Sequence, residues 1–238
     1  MATIASVSSL YFYAMDTDTQ ADIQAALENL VDAKTYVCVP AVRSIQSGDY
    51  RIGRYGKMGE VSAISRALYQ DLNAFRDWQK STGSPYSSFF AVFENESFSE
   101  EEFETALWKE LSHLCGHDGP NSKWDPSFSS NPEDQNFCPS IGGEAYFVVG
   151  LHPGSSRKAR QFDYPTIVFN LYDQFEELDR RGMYEGVVKA NRKREIAAHG
   201  SINPMVEKYG DKWEAIQFSG KQNDSQWKCP FHHLHSEK

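Results

Sequence analysis

Residues 147–162, FVVGLHPGSSRKARQF, place an imidazole, two hydroxyls and a run of basic side chains within a few positions of each other. His152 stands where an apolar strand must stop, because Pro153 has no N–H to offer the ladder. A side chain there projects from the sheet edge, where sites of open sheets often lie. Beyond it, Gly154, Ser155 and Ser156 can open a helix whose free N–H groups and hydroxyls face outward, and Arg157, Lys158 and Arg160 add positive charge. The segment predicts a cradle for carboxylates or phosphates. A metal-binding imidazole beside such a cradle suits a haem, with a ring nitrogen on iron and basic and hydroxyl groups on the propionates. The same cradle suits a phosphate ligand. The plainer reading is a turn histidine followed by a solvated basic run.

Other groups with chemistry lie further out. The tail WKCPFHHLH brings together Cys229, His232, His233 and His235, yet a structural zinc takes four ligands and no second pair matches. Cys229 is instead a candidate thiolate for haem iron, a ligand that favours O–O cleavage, and Cys138 is a weaker one. His113 and His117 are four apart and can face one metal, although Gly116 between them is placed to end their helix. A Gly-rich nucleotide loop, a GxSxG elbow and an HExxH motif are all missing from the sequence.

The elements that must position these groups follow from periodicity. Helices are predicted over TQADIQAALENLVDA, residues 61–80, SFSEEEFETALWKELSHLCGHDG with a Ser99/Glu102 capping box, LYDQFEELDRRG, and MYEGVVKANRKREIAAHG. Strands are predicted in TYVCVPAV and YRIGRYG as a hairpin across SGD, in SFFAVFE, in EAYFVVGLH and in YPTIVFN. Residues 117–143 read as a long loop tied down by Trp124, Phe128 and Phe137. The expected fold is α+β: a single domain with a central mixed or antiparallel sheet of about five strands and about five helices. Residues 1–33 read as a lead-in and helix, and residues 34–238 as the domain proper with its tail.

The chain of 238 residues has a formal charge of −9, which opposes general affinity for nucleic acid or anionic lipid and permits small cationic substrates. The first 20 residues hold no Lys or Arg, so no leader is predicted, and no stretch reaches membrane-spanning length. Four scattered cysteines are compatible with a reducing, cytoplasmic setting.

Seven segments, YVCVPAVRSIQSGDYRIG, FFAVFE, SHLCGHD, AYFVVGLHPGSSRKARQFDYPTIVFNLYDQFEEL, GSINPMVEKYG, AIQFSGK and WKCPF, occur in the order of the YqcI/YcgG family, which the chain resembles over roughly residues 34–231. Members of that family include haem-dependent N-oxygenases of guanitoxin and D-cycloserine biosynthesis. The resemblance implies a protoporphyrin haem (haem b), O2, an external electron donor and a small amine or guanidine substrate such as arginine or a derivative. It implies a monooxygenase that hydroxylates a substrate nitrogen, with His152 as first choice for axial ligand, Ser155, Ser156 and Arg157 as propionate partners, and Cys38 and Cys229 in family-like positions as alternative thiolates. Ser201 and Asn203, in GSINPM, are expected to deliver protons, and Glu144, Asp163 and Asp173 are the first carboxylates to orient a cationic substrate. Phe218, Lys221 and His199 depart from the family's usual tyrosine, arginine and glutamine. A homo-oligomer is compatible with all of this. A non-catalytic haem carrier or sensor, and a phosphate-ligand protein using the HPGSSR turn, stay open.

Overall fold

A computed structural model describes residues 17–32, 36–60, 62–94, 96–118, 122–200 and 214–234. Six α-helices are described: α1 (Thr17–Asp32), α2 (Val39–Ser47), α3 (Ser62–Thr82), α4 (Glu100–Gly116), α5 (Asp173–Arg180) and α6 (Tyr184–His199). The strands are β1 (Tyr50–Arg54), β2 (Ser88–Val92), β3 (Ser140–Ile141), β4 (Glu144–Leu151) and β5 (Thr166–Leu171), in the spatial order β1-β2-β5-β4-β3. β1 runs parallel to β2, and every other pairing is antiparallel. The parallel pair needs a crossover, which α3 supplies. The fold is the α+β class with a mixed five-stranded sheet, as expected. Among the described residues, no helix is long and apolar enough to cross a membrane.

One predicted element changes type. TYVCVPAV was expected to pair with YRIGRYG as a hairpin, but residues 36–38 form no strand, and α2 starts at once with Cys38, in extended backbone conformation, as its N-cap residue. Pro40 stands in the first turn, where a missing N–H costs nothing, and Ala41, Val42 and Ile45 then recur at helical spacing. Gly48, at φ 77°, closes the helix in the left-handed conformation. The fifth strand comes instead from Ser140–Ile141, at the end of the long loop.

Alternation along the strands divides the core in two. Tyr146, Val148, Ile167, Phe169, Phe89 and Ala91 point to the face covered by α3 and α4. Val168, Phe90, Val92, Ile52 and Leu151 point to the opposite face, under α1 and α2. Ile23 and Leu27 of α1 are fully buried there, so this helix belongs to the same core as the rest of the chain. On the first face α4 comes very close to the sheet: a Cβ on Gly150 would stand 2.5 Å from Phe103 and 3.0 Å from the Phe218 carbonyl. The Ser99/Glu102 capping box is present and starts α4 as predicted.

The long loop is fixed by its aromatics, as expected. Phe137 is buried, Trp124 packs on it at 6.0 Å, and the Phe128 ring lies 4.5 Å from Tyr172. Asp118 closes the loop's base by accepting from the Gly142 N–H at 2.9 Å and the Tyr69 hydroxyl at 2.7 Å. The tail is held by Glu104 of α4, whose carboxylate accepts from Ser219, Lys221, Asn223 and Trp227.

Candidate functional site

His152 follows β4 directly and is only 1% exposed. It lies two residues beyond Gly150 and therefore points to the same side, toward α4, where its ring stacks on Phe103 at 4.2 Å and 14°. Its Nδ1 is buried without a hydrogen-bond partner. Burial pushes its pKa below the ordinary value of 6.5, and the Glu100 carboxylate only partly opposes this, so the neutral ring is favoured.

The turn after it is bonded to the protein itself. Ser155 is buried, and its hydroxyl accepts from the Arg157 N–H at 3.3 Å. Ser156 gives both its N–H and its hydroxyl to Glu100, at 3.1 and 2.9 Å. A carboxylate of α4 therefore already holds the place an incoming anion would take. Arg157 pairs with Glu195 of α6 at 2.5 Å. Arg160 donates to the carbonyls of Gly150, Phe218 and Gln217, joining the end of β4 to the segment beyond α6. The expected propionate or phosphate cradle of Ser155, Ser156 and Arg157 is thus spent on joining α4, α6 and the turn.

The opposite face of the sheet has an open site. Phe147, Val149 and Asn170 form its floor, Phe175 of α5 and Tyr184, Val187, Val188, Asn191, Arg192 and Glu195 of α6 line it, and Cys38 and Pro40 stand at the start of α2. Glu214 and Gln217 complete a cleft of about 860 Å³, mouth included. Strand parity explains the separation: Phe147 and Val149 alternate with Val148 and Gly150, so the cleft and His152 are on different faces of β4.

Cys38 is placed there by the helix that displaced the predicted strand. Asn191 of α6 accepts from the Val39 N–H at 2.8 Å and so fixes the start of α2 against the cleft wall. Burial pushes the Cys38 thiol up, while the Ala41 N–H and the guanidinium groups of Arg160 and Arg194 draw it back toward ionisation. Two carboxylates line the same cleft. Glu195 is buried against Arg157, and Glu214 accepts the Tyr172 hydroxyl.

The other expected residues lie elsewhere. Cys229 is half-buried in the tail against the α4 side of the core, with its thiol pushed up to about 12 by burial. The His232 N–H donates to Ser112 and the His233 ring contacts the Ser130 carbonyl, while His235 lies outside the described residues. Among the described residues, no three His, Cys, Asp or Glu side chains gather as a metal site. Ser201 and Asn203 also fall outside the described residues. Glu144 pairs with Lys80, Asp163 is exposed, and Asp173 is on the side of α5 near Lys80, so none of these three lines the cleft. Sequence reasoning missed Glu195 and Asn191, although Tyr184, Val187, Val188, Asn191 and Glu195 form one helical stripe that turns polar at its end. Glu214 carried no such signal.

A family model described as the YqcI/YcgG family matches residues 27–232, the greater part of the chain. The match takes in α2, the whole sheet and α6, and with them every element that builds the cleft. No curated protein and no solved structure matches the chain. The chain belongs to the YqcI/YcgG family.

Proposed function

We propose that this YqcI/YcgG-family chain holds haem b in the α6 cleft through the Cys38 sulfur. With O2 and external electrons it hydroxylates a nitrogen of a small amine or guanidine, arginine or a derivative among them. One observation supports the reading above others: a thiol at the N-terminus of α2, beside two guanidinium groups, opens into an apolar cleft whose lining also carries carboxylates.

The residues present fit the group. A soft sulfur donor suits iron, and Cys38 would hold the haem through a thiolate of the kind that favours O–O cleavage. Phe147, Val149, Phe175, Val187 and Val188 offer the apolar surface that a flat macrocycle needs, and Arg192 offers charge for a propionate. His152 has a buried nitrogen without a partner, but Phe103 covers its ring and β4 separates it from the cleft. It becomes the second choice of ligand.

When bound, haem supplies reduction of O2 and scission of the O–O bond. Overall, substrate N–H, O2, two electrons and two protons give N–OH and water. The chain's own residues do the rest. Glu214 attracts and orients a cationic substrate through charge-assisted hydrogen bonds, Tyr172 fixes Glu214 by donating to it, and Glu195, paired with Arg157, adds a second acceptor to the lining. The apolar lining excludes water, which strengthens those contacts. Asn191 keeps α2, and so the sulfur, in place. Ser201 and Asn203 are proposed to deliver the protons. The reading assigns the protein to a reducing cytoplasm, with an electron donor as its partner.

A single-turnover experiment tests it. Haem-loaded protein is reduced anaerobically with dithionite, freed of excess dithionite, and mixed with L-arginine or related amines, isotopically heavy O2 and one further equivalent of a one-electron donor, because ferrous haem carries only one of the two electrons the reaction consumes. The expected product carries one heavy oxygen atom on nitrogen. Return of all the heavy oxygen as water or peroxide across the substrate panel would contradict the oxygenase and leave a haem carrier or sensor.

A further inference from the structure

α6 has two unlike faces. One carries Tyr184, Val187, Val188, Asn191 and Glu195 and lines the cleft. At 3.6 residues per turn, Lys189 and Lys193 fall on the reverse side, while Arg192 lines the cleft and Arg194 lies on the flank whose charge reaches Cys38. Lys189 and Lys193 are exposed, and among the described residues no ion pair engages either. Helix α6 holds four basic against two acidic side chains, and Glu195, one of the two, is turned inward to Arg157. Lys158 is exposed on the short turn that contacts α6 and adds a further positive charge near that helix. This surface belongs to a chain whose overall charge is −9.

A local basic face on an acidic protein is a directional signal. It attracts an acidic partner to one place while the rest of the surface repels it. The helix beneath is the wall of the cleft, so a partner docked there is separated from the cleft by one helix, about 10 Å across. We propose that the outer face of α6, centred on Lys189 and Lys193, is the docking surface for an acidic one-electron carrier protein. The inference rests on the reading of the cleft as a haem oxygenase site, since that reaction consumes two electrons from outside. Each docked carrier is oxidised by one electron, two carriers serve each O2, and the two protons leave as part of the water formed. A general polyanion surface is the less favoured reading, because the −9 charge opposes extended nucleic acid or anionic bilayer around the patch.

The test uses the full chain with a plant-type ferredoxin as probe. The first readout is binding of fluorescently labelled ferredoxin at low and high salt, which needs no haem. The second is the rate of appearance of the carbonyl complex of the haem-loaded protein under carbon monoxide, driven by reduced ferredoxin or by dithionite. The Lys189→Glu/Lys193→Glu variant is expected to weaken salt-sensitive ferredoxin binding and slow the ferredoxin-driven rate about tenfold or more. The dithionite-driven rate should stay at its wild-type value, and Lys189→Gln/Lys193→Gln should show a smaller loss. Ferredoxin binding that is absent, or indifferent to both variants, overturns the inference. So does binding of the patch to anionic phospholipid vesicles with no effect on ferredoxin. If dithionite develops no carbonyl complex while the variant still loses ferredoxin binding, the docking surface stands and the haem reading falls.

Discussion

At the scale of single residues, His152 shows how position in sequence and position in space part company. Its place at a strand end was legible, as was its neighbour Pro153. What was not legible was its face, because that depends on the register of β4 against β5 and on which helix covers each side. The buried, unpartnered imidazole makes a prediction about pH. Its folded pKa lies below the ordinary 6.5, so below that value the unfolded chain binds the proton more readily and stability falls. The contribution is complete above the ordinary value and is lost as pH falls through the folded one. Urea midpoints measured from about pH 8 to about pH 5 should decline for the wild type and decline less for His152→Phe, which keeps the stack on Phe103 and removes the orphaned nitrogen. An unchanged slope in the variant would show that His152 titrates as freely folded as unfolded. Cys38 was named from sequence, but its setting was not. The residues that frame it, Asn191 and Arg160, lie far along the chain and meet it only through tertiary packing.

At the scale of elements, strong periodicity was reliable and short apolar runs were not. α3, α4, β4 and β5 were readable because their patterns run long, and α4 also carries a capping box. TYVCVPAV was misread as a strand because β-branched residues outweighed Pro40, although a proline early in such a run also fits a helix start. Close packing between elements gives two further expectations. Gly150→Ala would force a methyl group to 2.5 Å from Phe103 and 3.0 Å from a backbone oxygen. It should cost about 1–3 kcal/mol in chemical denaturation, with α4 shifting outward. Glu104→Ala would leave Asn223 and Trp227 without their buried acceptor. A loss of about 3 kcal/mol and early proteolytic cleavage of the tail beyond residue 218 are expected. A tail as resistant as in the wild type would show that Phe218 and Phe231 hold it alone.

At the scale of the whole molecule, the sheet separates two polar systems that sequence placed together. On the α4 side lie His152 and the serine-rich turn, closed by internal bonds. On the α6 side lie Cys38, the apolar cleft and its carboxylates. Both lie within the stretch that the family model matches, residues 27–232, and the proposed chemistry belongs to the second. The most direct measurement is a haemin titration of wild-type protein, Cys38→Ala and His152→Phe, followed by absorption spectra after reduction and carbon monoxide. One haem per chain is expected, with the long-wavelength carbonyl band of thiolate ligation in the wild type and in His152→Phe, and loss of that band in Cys38→Ala. Saturable haem with the band unchanged in Cys38→Ala would contradict the assignment of the cleft, and no specific haem uptake by the folded wild type would contradict the proposed function itself.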